Sequence, residues 1–249
     1  MKFFGYSDIG RRRPTNQDRF LIRQFEDGFC VCAVFDGMGG AKGGEEASSI
    51  ACGTFEESVS KSLAEGLEEG EQLTRTFAEK VLCTAAEAAN SAVYARSTDP
   101  SLKGLGTTVV AAAVTDGFIV AINVGDSRLY EIGSGSIRQI SKDNSYVQYL
   151  VDIGQITKEE ALSHPQKNLI TKCLGTDEPA EPDTYRLAYV PDYLLLCSDG
   201  LTNAVSEDDI LSIVSNANED GRTKVRRLVD AANEAGGQDN ITVILAAGE

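Results

Sequence analysis

Helical and strand spacings of apolar residues alternate along this chain and mark out its elements. Apolar runs at 20–22 and 30–35 flank Asp27-Gly28, which predicts a hairpin over 18–35. Over 44–65, Ala47, Ile50, Ala51, Phe55, Val59 and Leu63 fall at three- and four-residue steps, the pattern of a helix with one buried face. A second stripe, formed by Leu73, Phe77, Val81, Ala85, Ala88 and Ala92, predicts a helix over 71–96. The glutamates of this region, such as Glu56, Glu57, Glu65 and Glu68, interleave with apolar positions and read as a solvated face.

From 106 the period shortens. Runs at 107–114, 118–124, 127–132 and 136–140 are rich in β-formers and are broken by Asp116-Gly117 and Gly133-Ser134-Gly135, which predicts an antiparallel meander. The rhythm is lost over 141–176, where the capping box Thr157-Lys158-Glu159-Glu160 marks a short helix. Strand signals return at 185–190 and 193–197. Helix signals follow at 206–217, opened by Ser206, and at 222–235, and a last strand is expected over 240–246. No linker or repeat divides the chain, so residues 1–249 are expected to form one α+β domain of packed antiparallel sheets covered by helices, with 141–176 as an excursion from it.

Composition narrows what such a domain can do. With 42% hydrophobic and 24% charged residues among 249, the chain can build a sizeable core and is not expected to be disordered. No apolar run reaches the ~18 residues of a membrane span, and the first residues lack a signal-peptide core. The net charge of −15 repels nucleic acid and anionic membrane, and Arg11-Arg12-Arg13 is the one basic run. Arg11 and Arg12 read as solvated residues that could also help hold an acidic phosphopeptide. The six cysteines form no CxxC pair and mostly lie in apolar runs, which points to small core residues in a reducing cytoplasm.

The single histidine, His164, excludes most hydrolytic chemistries. Neither a Gly-x-Ser-x-Gly elbow nor a catalytic Cys signature accompanies it, and no His-rich zinc site can be assembled. Any catalysis is therefore expected to rest on carboxylates. Asp-Gly occurs at Asp27, Asp36, Asp116, Asp199 and Asp220; three of these read as turns, but Asp36 and Asp199 each end a strongly apolar strand. Asp126, in Val124-Gly125-Asp126-Ser127-Arg128, and Asp239, just before the last strand, share that placement. Four such carboxylates without His or Cys make an oxygen-ligand set suited to Mg²⁺ or Mn²⁺. The glycine-rich run from Gly37 to Gly44 is neither a P-loop nor a GxGxxG loop, so nucleotide binding is a weak alternative to close backbone approach beside Asp36.

Six segments, in order, carry a resemblance. They are Arg13-Pro14-Thr15-Asn16-Gln17-Asp18, Asp36-Gly37-Met38-Gly39-Gly40, Gly106-Thr107-Thr108, Val124-Gly125-Asp126-Ser127-Arg128, Ser198-Asp199-Gly200 and Gly237-Gln238-Asp239-Asn240-Ile241-Thr242. Together they resemble the metal-dependent type 2C protein serine/threonine phosphatases (the PPM family), in the compact bacterial branch, over nearly the whole chain. The resemblance implies a four-layer α-β-β-α sandwich with a flap around 141–176 and a cleft holding two Mn²⁺ or Mg²⁺ ions. It implies that Asp36 and the Gly37 carbonyl hold one ion, with Asp36 bridging to a second held by Asp199 and Asp239. Asp126 matches the acid that binds a third ion with Asp199, and Arg13 the residue that grips the substrate phosphate. Two ions ~3.5–4 Å apart would activate a bridging water for in-line attack without a phosphoenzyme.

Several positions qualify the resemblance. Gln17 stands where many members have an outer-shell glutamate and lacks its charge. Asp18 is expected to support the ligands from behind, or else to serve as a turn or cap. Met38 replaces a proposed general acid and cannot donate a proton, and His164 is expected to pack or cap within the flap. Thr107 and Thr108 read as strand and packing residues. The expected protein is a cytoplasmic monomer acting on phosphoserine and phosphothreonine, with a serine/threonine kinase and its substrates as partners. The alternatives are a non-catalytic phosphopeptide- or metal-sensing scaffold of the same fold, and a phosphatase of small phosphate esters.

Overall fold

The computed structural model describes residues 1–97, 99, 102, 104–176, 179–188 and 190–248, without the side chains at 27 and 40–42. One sheet holds β1 (Lys2–Asp8), β11 (Ile241–Ala247), β10 (Tyr193–Cys197), β7 (Arg128–Gly133) and β8 (Ser136–Gln139), in that order. The other holds β2 (Asp18–Gln24), β3 (Cys30–Met38), β5 (Val109–Val114), β6 (Ile119–Val124) and β9 (Asp183–Leu187), with the short β4 (Gly106–Thr107) beside the end of β3. All the pairings are antiparallel.

Three cores produce four layers. Along β3, Val31, Ala33 and Phe35 face α1 (Gly40–Glu68) and α2 (Arg75–Ser97), where Phe35 meets Phe55 edge-on with ring centroids 5.6 Å apart. The alternate residues Cys32 and Val34 point the other way, into a core between the sheets that includes Leu129, Leu194, Leu196 and Ile244. On the far side, Tyr130, Leu195, Cys197, Val243 and Leu245 pack against α6 (Glu207–Val214) and α7 (Gly221–Glu234), through Ile210, Val225, Leu228 and Val229. Strands buried on both faces must be apolar at successive positions, which is why these runs lack clean alternation. The α-β-β-α sandwich is as expected. Among the described residues no helix is long and apolar enough to cross a membrane.

The structure corrects several local expectations. The four strands expected over 107–140 do not form a meander: β5 and β6 pair in one sheet, β7 and β8 in the other. The chain crosses between sheets at Gly125, whose φ of +119° and lack of Cβ permit a close pass over Thr108. β1, paired along its length with β11, has no counterpart among the expected strands. α1 begins before 44, and α2 begins later than 71. Asp220 is no simple turn residue, since its Oδ1 accepts the Thr223 N–H at 2.8 Å and caps α7. The strand expected over 185–190 is β9, which ends at Leu187, and position 189 lies outside the described residues. Within 141–176 lie α3 (Tyr146–Asp152) and α4 (Lys158–Leu162), the latter opened by the Thr157–Glu160 capping box.

Candidate metal centre

The site lies where loops from both sheets meet at one end of the sandwich. Asp36, near the end of β3, is paired in register with Asp18 of β2. Its backbone is held on both sides: its N–H donates to Thr108 Oγ1 (3.1 Å), and its carbonyl accepts from Thr107 Oγ1 and the Thr108 N–H (both 2.9 Å). The two threonines thus act as more than strand fillers, because they fix the main chain that carries Asp36. Gly37 donates its N–H to the Gln17 carbonyl (3.2 Å).

Asp199 opens the short α5 (Asp199–Thr202), and its Oδ2 accepts from Asn203 Nδ2 at 2.8 Å. Asp239 precedes β11, with Oδ1 on the Asn240 N–H (2.8 Å) and Oδ2 on the Arg13 guanidinium (2.7 Å). Asn240 ties the arginine-bearing loop to this segment. Its Nδ2 donates to the carbonyls of Ile9 (2.9 Å) and Thr15 (3.0 Å), and its Oδ1 accepts the Gln17 N–H (2.8 Å). Asn240 was visible in the sequence only as a motif letter, since a clamp between positions more than 200 residues apart leaves no local signal.

Arg13, Gln17, Asp36, Gly37, Asp126, Asp199 and Asp239 all border one cleft of about 420 Å³, together with Met38 and the flap residues Asn168 and Ile170. The resemblance put the flap, including Asn168, beside the site; which of its residues border the cleft, and that Ile170 is one of them, has no local signal in the sequence. Asp18, the cross-strand partner of Asp36, is buried, accepts from Ser198 Oγ (2.8 Å) and does not border the cleft. His164 is also outside it; its Nδ1 accepts the Gln166 N–H (3.1 Å) and its ring lies near Tyr146, a packing and capping role inside the flap. Arg128 holds Asp143 at the flap's base through Nε and Nη2 (2.7–3.1 Å).

The electrostatics are those of crowded acids. Burial, then the neighbouring Asp18, raises the Asp36 carboxyl well above the usual carboxylate range. Burial, reinforced by Asp199, pushes Asp126 up to about 8, and burial pushes Asp18 up to about 7. Asp199 is raised by burial and by Asp239. The Oδ1 atoms of Asp18 and Asp126 are buried without a hydrogen-bond partner. Among the described residues no three His, Cys, Asp or Glu side chains are already gathered into a set that could hold an ion. The donor chemistry still fits a hard divalent cation: the acids offer oxygen only, they repel one another, and Asp126, which borders the cleft, keeps one buried oxygen without a partner.

Comparison with known proteins shows what the chain is similar to. Residues 5–245 match the family model described as protein phosphatase 2C. The serine/threonine phosphatase Stp of Listeria welshimeri is 37% identical over 245 residues, spanning 96% of this chain and 92% of that protein. The Streptococcus agalactiae serine/threonine phosphatase structure superposes with a TM-score of 0.88 at 33% identity, covering 100% of this chain and 99% of that one. The catalytic domain of the phosphatase PstP, solved in complex with two manganese ions, superposes with a TM-score of 0.79 at 33% identity, covering 99% and 97%. The chain therefore belongs to the protein phosphatase 2C (PPM) family of metal-dependent serine/threonine protein phosphatases, in its bacterial branch.

Proposed function

We propose that residues 1–249 work as a single phosphatase domain that uses Mn²⁺ or Mg²⁺ to hydrolyse phosphoserine and phosphothreonine in proteins, with no phosphoenzyme. The observation that carries this reading is the convergence of Asp36, Asp126, Asp199, Asp239 and Arg13 on one cleft. Asp36, the Gly37 carbonyl, Asp199 and Asp239 would hold two ions, and Asp126 with Asp199 a third. Bound cations supply an activated water and neutralise charge that develops on the phosphoryl group. Arg13 presents a fork of donors that matches phosphate oxygens, and at 47% side-chain exposure it can turn from Asp239 to a substrate. Gln17, on the cleft wall, and Asp18, the cross-strand partner of Asp36, orient the ligands. Met38 has no proton to give, so the leaving alkoxide takes its proton from water or from another group at the site. The substrates are phosphoproteins of a serine/threonine kinase pathway in the cytoplasm, and the enzyme acts as a monomer.

Phosphate release from a phosphothreonine peptide by metal-stripped protein, with and without Mn²⁺, tests the reading. Manganese-dependent turnover that falls ~10²–10³-fold in Asp239→Asn is expected, the scale of losing one electrostatic contributor to the transition state. Folded protein inactive under every metal would favour the scaffold alternative, and small-ester turnover without peptide turnover the other.

A further inference from the structure

Asn144, at the start of the flap, joins three segments from different parts of the fold, two of which, at 125–126 and 168–171, border the cleft. Its N–H donates to the Gly125 carbonyl (2.8 Å), and the Gly125 N–H donates back to its Oδ1 (2.9 Å). That exchange occupies both main-chain groups of the residue immediately before Asp126. The Asn144 Nδ2 donates to Asp183 Oδ2 (2.8 Å) on β9, and its carbonyl accepts the Thr171 N–H (2.8 Å) at the far end of the flap. One residue on, Ser145 bridges to Ile170, and the Tyr146 N–H donates to the Leu169 carbonyl (2.8 Å). Ile170 and Asn168 border the cleft, as Asp126 does.

The Gly125–Asp126 turn depends on such ties. A side chain at 125 would put its Cβ 2.5 Å from Thr108 Cγ2, so the residue there has no side chain of its own and its main-chain hydrogen bonds tie the turn to its neighbours. Asn123 supplies a second one, from Nδ2 to the Gly125 carbonyl (3.0 Å). An amide is the side chain suited to 144, because it accepts at one end and donates at the other within one rigid plane. A carboxylate there would face Asp183.

We propose that Asn144 is a positioning residue for the phosphatase reaction, locking the Gly125–Asp126 turn to the base of the flap. The Asp126 carboxylate and the flap residues at the cleft then keep a common frame. The inference rests on the reading that Asp126 takes part in turnover.

The test measures kcat and KM with Mn²⁺ and a phosphothreonine peptide for wild type, Asp126→Ala, Asn144→Ala and the double variant, together with thermal unfolding of each. Loss of the Asn144 side-chain bonds is expected to lower kcat about tenfold, the scale of one to two hydrogen bonds. In the Asp126→Ala background the same change should matter less than about twofold, because coupled residues are not additive. Amide hydrogen exchange at Gly125 should quicken in Asn144→Ala. The exchanged pair Asn144→Asp with Asp183→Asn keeps an acceptor for Gly125 and a donor–acceptor link to β9, and should recover most of the lost kcat, whereas Asn144→Asp alone should not.

Equal slowing by Asn144→Ala in both backgrounds overturns the inference, as does an active Asn144→Ala beside a slowed Asp126→Ala. A silent Asp126→Ala removes the role of Asp126, and the inference with it, and is told apart by which variant is silent. If Asn144→Ala unfolds, the exchanged pair decides: recovery supports the inference, and a folded but slow pair overturns it.

Discussion

Arg13 reaches Asp239 across 226 positions of sequence, and the contact shows how a single side chain on a loop is aimed. The loop is not held by the arginine itself, which is half exposed, but by Asn240 beneath it. Removing the guanidinium should therefore leave the fold intact and weaken the grip on phosphate. Arg13→Ala is expected to lower kcat/KM about 10- to 100-fold, the equivalent of one charge-assisted hydrogen bond at about 1.5–3 kcal/mol. Arg13→Lys should recover part of it, because a point charge lacks the fork. Steady-state kinetics on a phosphothreonine peptide reads both. Gly200 is constrained differently. A Cβ there would lie 1.9 Å from the Asn240 carbonyl oxygen, a backbone atom that can yield only by moving the Asp239 segment. Gly200→Ala should lower Tm by about 2–12 °C, from about 1–3 kcal/mol of overpacking, and should depress activity more than the stability loss explains. Thermal unfolding and kinetics on the same sample check the pair of effects.

At the scale of elements, the two long helices and most strands were legible because their apolar periods are long or strong. The stripe Ala47, Ala51, Phe55, Val59 and Leu63 is buried as its spacing required. Phe55 anchors that face against Phe35, so Phe55→Ala is expected to cost about 3–5 kcal/mol and lower Tm by about 6–20 °C, measured by calorimetry. The meander was misread because pattern and turn chemistry are the same for a tight turn within a sheet and a crossing between sheets. What separates the two is the approach of Gly125 to Thr108, a contact between segments 17 residues apart that no local period records. β1 went unread because its identity as a strand comes from its pairing with β11 at the opposite end of the chain. Asp220 and Asp199 look alike as Asp-Gly pairs, yet one caps a surface helix and the other enters the cleft.

For the whole molecule, the concentration of buried acids at one end of the sandwich couples cation binding to stability. A ligand that binds only the folded state stabilises it by about 2.7 kcal/mol at a hundredfold excess over Kd. Mn²⁺ at that excess should raise Tm by about 5–11 °C, chelation should reverse the shift, and Asp239→Asn should blunt it; scanning fluorimetry is sufficient to see all three. By itself the sequence determined the burial faces of the helices, the apolar strands, the absence of a histidine- or cysteine-based chemistry, and the set of acids open to metal chemistry. These follow from residue type and short-range period, which local physics sets. The tertiary structure decided which sheet each strand joins, that Asp18 is the cross-strand partner of Asp36 and does not border the cleft, and through which segments the acids that the resemblance grouped reach that cleft. It also decided that Asn240 and Asn144 act as clamps, because those assignments depend on contacts between residues far apart in the chain.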